Sequence, residues 1–403
     1  MTDIQTKSLL SQNASQIEAS ITMAITALAN QLKREGKPVI GMSAGEPDFD
    51  TPDNIKDAGR AAIDDGQTKY TAAPGMPQLK ESVCKKIQTD LNLTYQPDEV
   101  IVSCGAKHSI FMVLFALLNP GDEVIIPSPY WVSYPDQVKM LGGSPVFIET
   151  TDTSNFKITA TQLEAAITDK TKLVILNTPS NPTGMIYTKE ELTALAAVIV
   201  KHDILVISDE IYSKLVYDEA HVSIASLGDE IKKRTLLVDG VSKAYSMTGW
   251  RVGYTAGPKE IISVMGRLQS HSTSNPATPS QWASLAALNG NDDAIETMKV
   301  AFRERKKVMV DSLNAIAGIT CLDPQGAFYA FPNISSTFGK RSQTGVINNS
   351  VDFCSNFLQE QLVACVPGSG FGAEGFIRLS YATSMDAIKS AMDKLDKFVS
   401  SLN

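Results

Sequence analysis

The stretch from Asp239 to Tyr254, DGVSKAYSMTGWRVGY, links a lysine to an arginine through a run of small residues. Lys243 stands between Ser242 and Ala244, and Arg251 follows one short loop later. A lysine that is partly desolvated, or set beside other cations, gives up its proton readily and becomes an amine nucleophile. Arg251 offers the planar, permanently charged fork that suits a phosphate. An amine nucleophile beside a phosphate anchor is what a pyridoxal 5′-phosphate Schiff-base site requires. Taken alone, the pair also reads as two solvated surface charges.

Other residues bear on the choice. SDEIY at 208–212 closes an apolar run with two carboxylates. An acid there is either a helix N-cap or an inward-facing partner for a protonated heterocyclic nitrogen. In the second reading Asp209 pairs with that nitrogen and Tyr212 touches the same ring. NTPSNPTG at 177–184 is a surface loop, or a frame in which Pro182 holds Asn181 extended and aims its amide. SCGAKHSI at 103–110 sets Gly105, Ala106 and Lys107 at a helix start, where N–H groups and the dipole attract an anion. Trp131 in SPYWVSYP is a core residue or a platform for a flat ring. Arg378 lies in the apolar run FIRLSYA and needs an anion, either a ligand carboxylate or an internal Asp or Glu. GSGFGAEG at 368–375 has GxGxG spacing without a long helix after it, and reads as a flexible loop.

The elements that must position these residues follow from periodicity. Residues 15–35 carry a helical apolar pattern, VIGMSAG a short strand, and 53–65 and about 77–90 further helices. Tyr70 falls in a Pro/Gly-rich loop between the last two. From residue 100 short Val/Ile/Leu runs (EVIVSC, EVIIPSP, SPVFIE, KLVILNTP, DILVISDE, TLLVDG) alternate with helical segments, including helices expected near 188–202 and 210. That alternation predicts an α/β fold with a mostly parallel buried sheet. Such sheets bind ligands at the carboxyl ends of their strands. Gly105–Lys107, Trp131, Asn181, Asp209 and Lys243 each follow a strand closely. After Pro276 the pattern is helical over 282–316, then mixed, with short strands around GAFYAFP, VACVPG and FIRLSY and a last helix at 386–402. The expected division is a large domain of 51–290 and a smaller α+β domain of 1–50 plus 291–403.

Bulk properties exclude other classes. A net charge of −8 with no basic stripe argues against nucleic acid. Five cysteines without CxxC spacing and four scattered histidines argue against a zinc site. No apolar run reaches bilayer length and the first twenty residues lack a leader's apolar core, so a soluble cytoplasmic protein with reduced thiols is expected.

The ordered set SAGEPDFDTP, TKYTAAPG, SPYWVSYP, NTPSNPTG, SDEIY, SKAYSMTGWRVGY and IRLSYATS resembles fold-type I pyridoxal-phosphate enzymes of the class I/II aminotransferases. Within them it is similar to the bacterial-type (subgroup Iβ) aspartate aminotransferases, over nearly the whole chain. The resemblance implies that Lys243 forms the internal aldimine and shuttles a proton as general base and acid. Asp209 would pair with the ring nitrogen, Asn181 and Tyr212 with the ring hydroxyl, and Trp131 would stack on the ring. Gly105, Ala106 and Lys107, with Arg251 and Ser242, would hold the phosphate. Tyr70 would reach the phosphate of a neighbouring subunit, so a homodimer with shared sites is implied. Arg378, Gly45 and Asn181 would bind the substrate α-carboxylate. Many relatives carry serine where this chain has Gly240, so one phosphate contact is expected to be missing or replaced by water.

Animal-type relatives take a second carboxylate with an arginine from the other subunit, and SHSTSNP at 270–276 has none. Subgroup Iβ offers Lys107 instead, helped by Ser20 and Thr22. The implied reaction is ping-pong transamination of aspartate with 2-oxoglutarate. Broader amino-acid or prephenate transamination, or another fold-type I reaction such as elimination, are the alternatives. A Rossmann dehydrogenase is excluded because no GxGxxG follows the first strand.

Overall fold

The computed structural model describes Ser11, Ser15, Ile17 and residues 21–403, with residues 21–24 and 26 described by their backbone only. In chain order the strands are β1 (Ile40–Gly41), β2 (Val100–Ser103), β3 (Glu123–Ser128), β4 (Ser144–Glu149), β5 (Thr171–Asn177), β6 (Leu205–Asp209), β7 (Thr235–Gly240), β8 (Gly253–Ala256), β9 (Tyr329–Ala330), β10 (Val363–Ala364), β11 (Val366–Pro367) and β12 (Ile377–Ser380). Seven of them form one sheet in the order β2-β8-β7-β6-β5-β3-β4.

Both faces of this sheet are covered, which is why its strands read as continuous apolar runs rather than alternating ones. Side chains still alternate with period two. Val124 and Ile126 of β3, Leu173 and Ile175 of β5 and Ile207 of β6 pack on one side, against Ile110, Val113 and Leu114 of the helix Ala106–Leu117. Ile125, Val174, Leu176 and Val206 face the other way, onto Leu192, Leu195 and Ile199 of the helix Lys189–Lys201. Each fully buried side chain of this kind contributes roughly 1.5–3 kcal/mol. Thr188 and Glu191 start that second helix with a reciprocal capping box, as their spacing dictates.

β3 to β7 are mutually parallel, whereas β8 runs antiparallel to both β7 and β2. Apolar periodicity did not mark β8, whose four residues lie in the turn-rich stretch WRVGYTAG. Its reversal has a consequence for the chemistry. The carboxyl ends of β2, β3, β5, β6 and β7 share one edge with the amino end of β8. Arg251, just before β8, therefore arrives at the same edge as the residues that follow the parallel strands.

Two other expectations change. No helix forms near 210: residues 211–214 make a turn in which Ser213 N donates to Glu210 O at 2.7 Å, and that turn swings Tyr212 inward. The helical region 282–316 is two helices, Thr278–Asn289 and Asp293–Ala315, broken at Gly290–Asp292. β9, β11 and β12 form a small antiparallel sheet, and β1 pairs with β10 in parallel. Met42, Phe302, Phe328, Phe353, Phe357 and Phe398 pack within one continuous core under these strands. Among the described residues no helix is long and apolar enough to cross a membrane.

Candidate active site

A cavity of about 390 Å³ opens at the shared strand edge. That size falls within the usual range for small-molecule sites. Gly45, Ala106, Lys107, Trp131, Asn181, Asp209, Tyr212, Ser242, Lys243, Arg251 and Arg378, all expected from the sequence, line it.

One end is an anion cup. The helix Ala106–Leu117 begins there; His108 N donates to Gly105 O at 2.9 Å, whereas the N–H groups of Ala106 and Lys107 precede any i−4 acceptor within the helix. Gly105 is its N-cap at φ 87° and is not itself in the cavity wall; a Cβ there would sit 2.6 Å from Arg251 Nη2. Glycine is thus required by both conformation and space. Arg251 adopts a left-handed backbone, φ 57°, and Nη1 donates to Thr248 O at 2.9 Å. Gly253 faces Ser103 on one side and Gly240 on the other. A Cβ on Gly253 would meet Ala106 N at 2.3 Å, so glycine lets the cup rest directly on β8.

The same packing accounts for Gly240. A Cβ there would lie 2.8 Å from Gly253 Cα and 2.9 Å from Val252 O, both backbone atoms. A serine cannot simply be added here to supply the phosphate contact expected to be missing. Gly240→Ser is expected to destabilise the protein by roughly 1–3 kcal/mol, the scale of an overpacked core site, without tightening phosphate binding. Thermal unfolding and equilibrium dialysis with inorganic phosphate read the two effects; an unchanged melting temperature with tighter binding would contradict this.

Lys243 lies beyond the end of β7, and its Nζ donates to Gly45 O. Burial pushes its amine down to about 8, with Arg378 and Arg251 pushing the same way and Glu46 and Asp209 opposing. Asp209 ends β6 and is buried. Burial raises its carboxyl to about 6, opposed by hydrogen bonds from Tyr134 and the Ile211 N–H. Tyr134 Oη donates to Oδ2 at 2.6 Å, and Ile211 N to Oδ1 at 3.3 Å. The N-cap reading therefore does not hold, since no helix follows and the carboxylate faces the cavity. Tyr212 Oη and Tyr329 Oη are 2.8 Å apart.

At the opposite wall Arg378 lies on β12, with its guanidinium carbon 4.4 Å from the Tyr329 ring centre and 5.1 Å from that of Phe371. Nη1 donates to Asn181 Oδ1 at 2.9 Å and Nη2 to Ser43 O at 2.8 Å. Both acceptors are neutral, and the buried Nε has no partner among the described residues. An internal ion pair is thus not what satisfies this arginine; it is poised for an external anion. Asn181 N in turn donates to Asn177 Oδ1 at 2.8 Å. Lys107 Nζ stands 4.8 Å from the Trp131 ring centre, with its amine held down by burial and by Arg251.

Three expected residues are not gathered here. Tyr70 is 91% exposed and outside the cavity. Its loop is tied down by Thr278 Oγ1 to Lys69 O at 2.6 Å and Gln281 Nε2 to Thr71 Oγ1 at 2.9 Å. Ser20 lies outside the described residues, as do residues 16, 18 and 19 of the expected first helix. Thr22 falls in the helix Ile21–Arg34, where only its backbone is described.

Other lining residues were not singled out from the sequence: Ser43, Tyr134, Asn177, Thr248, Tyr329 and Phe371. Tyr134 stands three residues after Trp131, at the start of a short helix, and that spacing is the signal that could have found it. Phe371 corrects the reading of GSGFGAEG as a flexible loop. Gly368–Phe371 is a 3-10 turn with Phe371 buried, and Gly372, at φ 70°, has no room for a Cβ beside the Tyr130 ring, 2.6 Å away. Its glycines serve close packing, not a nucleotide.

These residues fit pyridoxal phosphate. A cationic cup suits the phosphate, a desolvated amine suits the aldehyde, a buried carboxylate suits the ring nitrogen, and an indole walls one side. Comparison with known proteins agrees. The family model "Aminotransferase class I and II" matches residues 37–395. The aspartate aminotransferase of Bacillus sp. (strain YM-2) is 51% identical, covering 98% of this chain and 100% of its own. The aspartate/prephenate aminotransferase of Nitrosomonas europaea is 48% identical, covering 97% and 100%. The crystal structure of the Rhizobium meliloti aspartate aminotransferase superposes with a TM-score of 0.95 at 45% identity, covering 98% of this chain and 99% of that one.

Proposed function

The chain belongs to the class I and II aminotransferases, and from that premise we propose that it transaminates aspartate with 2-oxoglutarate in two ping-pong half-reactions. It is a fold-type I aminotransferase, and its cofactor is pyridoxal 5′-phosphate. The observation that carries the substrate reading is the placing of cations about one cavity. Arg378, with an unpartnered Nε, faces it from β12, and Lys107 faces it over Trp131. Two anion-seeking groups beside the attachment lysine suit an amino acid with a carboxylate at each end. A lysine is a movable point charge rather than a fixed fork, so this end tolerates variation. The relatives named for aspartate, and for aspartate and prephenate together, support the same reading.

When bound, the cofactor supplies an electron sink for the charge left at the substrate Cα once its proton is removed. Lys243 attaches it, and the neutral Nζ then takes and returns the Cα proton. Asp209, kept in place by Tyr134, holds a positive charge at the ring nitrogen. Arg378 and Asn181 fix the α-carboxylate, which sets the Cα–H direction relative to Lys243. The cup at Ala106, Lys107, Ser242 and Arg251, with Gly105 shaping it, anchors the phosphate. The exposed Tyr70 completes the cup of a second subunit in a cytoplasmic homodimer. Residues 51–290 form the large domain, and 1–50 with 291–403 the small one, a division supported by the separate sheets in the two parts.

Lys107→Ala is expected to lower kcat/KM for aspartate by roughly 10- to 100-fold, the worth of a charge-assisted hydrogen bond of ~1.5–3 kcal/mol, while leaving alanine nearly unaffected. Stopped-flow half-reactions with each amino acid measure this. Equal losses for both would show that Lys107 serves the phosphate cup alone. The same assay with prephenate tests the broader range suggested by the Nitrosomonas relative.

A further inference from the structure

Tyr329 is fully buried on β9, opposite Ser380 of the strand that carries Arg378. Its ring lies against the Arg378 guanidinium at 4.4 Å, and its hydroxyl sits 2.8 Å from that of Tyr212. We propose that Tyr329 is a positioning residue with two separable duties: its hydroxyl directs the Tyr212 proton into the cavity, and its ring sets the plane of Arg378. The inference rests on the pyridoxal-phosphate reading of this site.

The first duty follows from counting protons. Each phenol has one proton to donate. The groups around the Tyr329 hydroxyl are Tyr212, the Arg378 cation, Gly45, whose Cβ position is 3.5 Å away, and the Glu46 charge, with which no hydrogen bond forms among the described residues. Of these, the acceptor in reach is Tyr212 Oη. Once Tyr329 donates to it, the Tyr212 proton is left for an acceptor in the cavity, and accepting one bond strengthens the bond it gives. The charged groups facing the two rings are Arg378, Lys243, Asp209 and Glu46. None of them replaces the tyrosine as a neutral donor to Tyr212.

The second duty follows from the arginine's own bonds. Nη1 and Nη2 are each tied at one point, to Asn181 and Ser43. Two single bonds leave the fork free to tilt about the line joining them. The Tyr329 and Phe371 rings, both packed against the guanidinium, remove that freedom. Burial within a stacked pair suits guanidinium, which is planar and weakly hydrated.

Two variants separate the duties in the cofactor-loaded enzyme. Tyr329→Phe keeps the ring and removes the hydroxyl. It is expected to raise the midpoint of the pH titration of the visible absorbance band by roughly 0.5–1 unit, because a weaker Tyr212 donor favours the band's deprotonated form less. Its dissociation constant for maleate, an amine-free dicarboxylate, should stay within about twofold of wild type. Tyr212→Phe should shift the midpoint further in the same direction, and adding Tyr329→Phe to it should change nothing more. Tyr329→Leu removes the ring as well and should weaken maleate binding by roughly 3- to 30-fold. An unmoved midpoint in Tyr329→Phe, or an additive double variant, overturns the first duty. Unchanged maleate affinity in Tyr329→Leu overturns the second. A wild-type protein with no titrating visible band would instead overturn the cofactor reading itself, so the two failures are distinct.

Discussion

Lys243→Ala is expected to abolish turnover, with a loss of at least about 10⁴-fold, the upper range for a positioned acid–base group, and to remove the visible absorbance of the lysine-bound cofactor. Both effects arise from one atom. Among the described residues of the cavity wall, Nζ of Lys243 is the more deeply buried of two amines, and the other, that of Lys107, stands over Trp131. The sign of its pH dependence is set by burial and by Arg378, which bring the amine down to about 8. The attacking form is the neutral amine, so capture of free pyridoxal phosphate by the cofactor-free protein should accelerate as pH rises and level off above about 8. An amine at the ordinary lysine value would keep accelerating well beyond that. Absorbance stopped-flow on wild type and variant measures both. A Lys243→Ala protein that retained the band and turned over aspartate would refute the assignment.

Asp209→Asn should cost at least about 10²-fold in kcat, on the scale of losing one preorganised electrostatic group. The substitution is close to isosteric and its carbonyl oxygen can still accept from Tyr134, at the cost of the long bond from Ile211 N, so the loss reports chiefly charge rather than packing. Burial, with a smaller push from Glu210, raises this carboxyl to about 6, and the Tyr134 hydroxyl works against that rise. A cation on the ring nitrogen would favour the ionised form further. The amide supplies no such counter-charge, so the ring nitrogen should lose its proton and the electron sink should weaken. Single-turnover rates with aspartate report the chemical step directly. A kcat within a few-fold of wild type would show that Asp209 is structural, holding the turn at Ile211 rather than the ring.

Much of the site was legible because its residues follow strands. In a sheet covered on both faces, runs such as KLVILN and DILVIS announce themselves, and the polar residues just beyond them can only fall at an edge. Asn181 and Asp209 are legible in that way, while Lys243 is marked first by its small neighbours and by Arg251. The motif order then carried the family. What periodicity missed was short or reversed. β8 is four residues long and antiparallel, yet it is the strand that delivers Arg251 to the cup. The turn after Asp209 was read as a helix because its composition allows one, whereas its hydrogen bonds instead turn Tyr212 toward Tyr329.

The chain by itself determined the sheet, the edge and the reactive residue types, since these depend on local pattern and on which side chains can form an imine or grip a phosphate. Tertiary structure alone decided the environments. Tyr134 and Tyr329 are separated from their partners Asp209 and Tyr212 by long stretches of chain, and Phe371 meets Arg378 only because the 3-10 turn between β11 and β12 folds it back over the strand. The same holds for Gly240, whose lack of a side chain looks like a missing contact until Gly253 is seen packed against it. Sequence pattern specifies which face a residue takes; what meets it there depends on how distant segments close together.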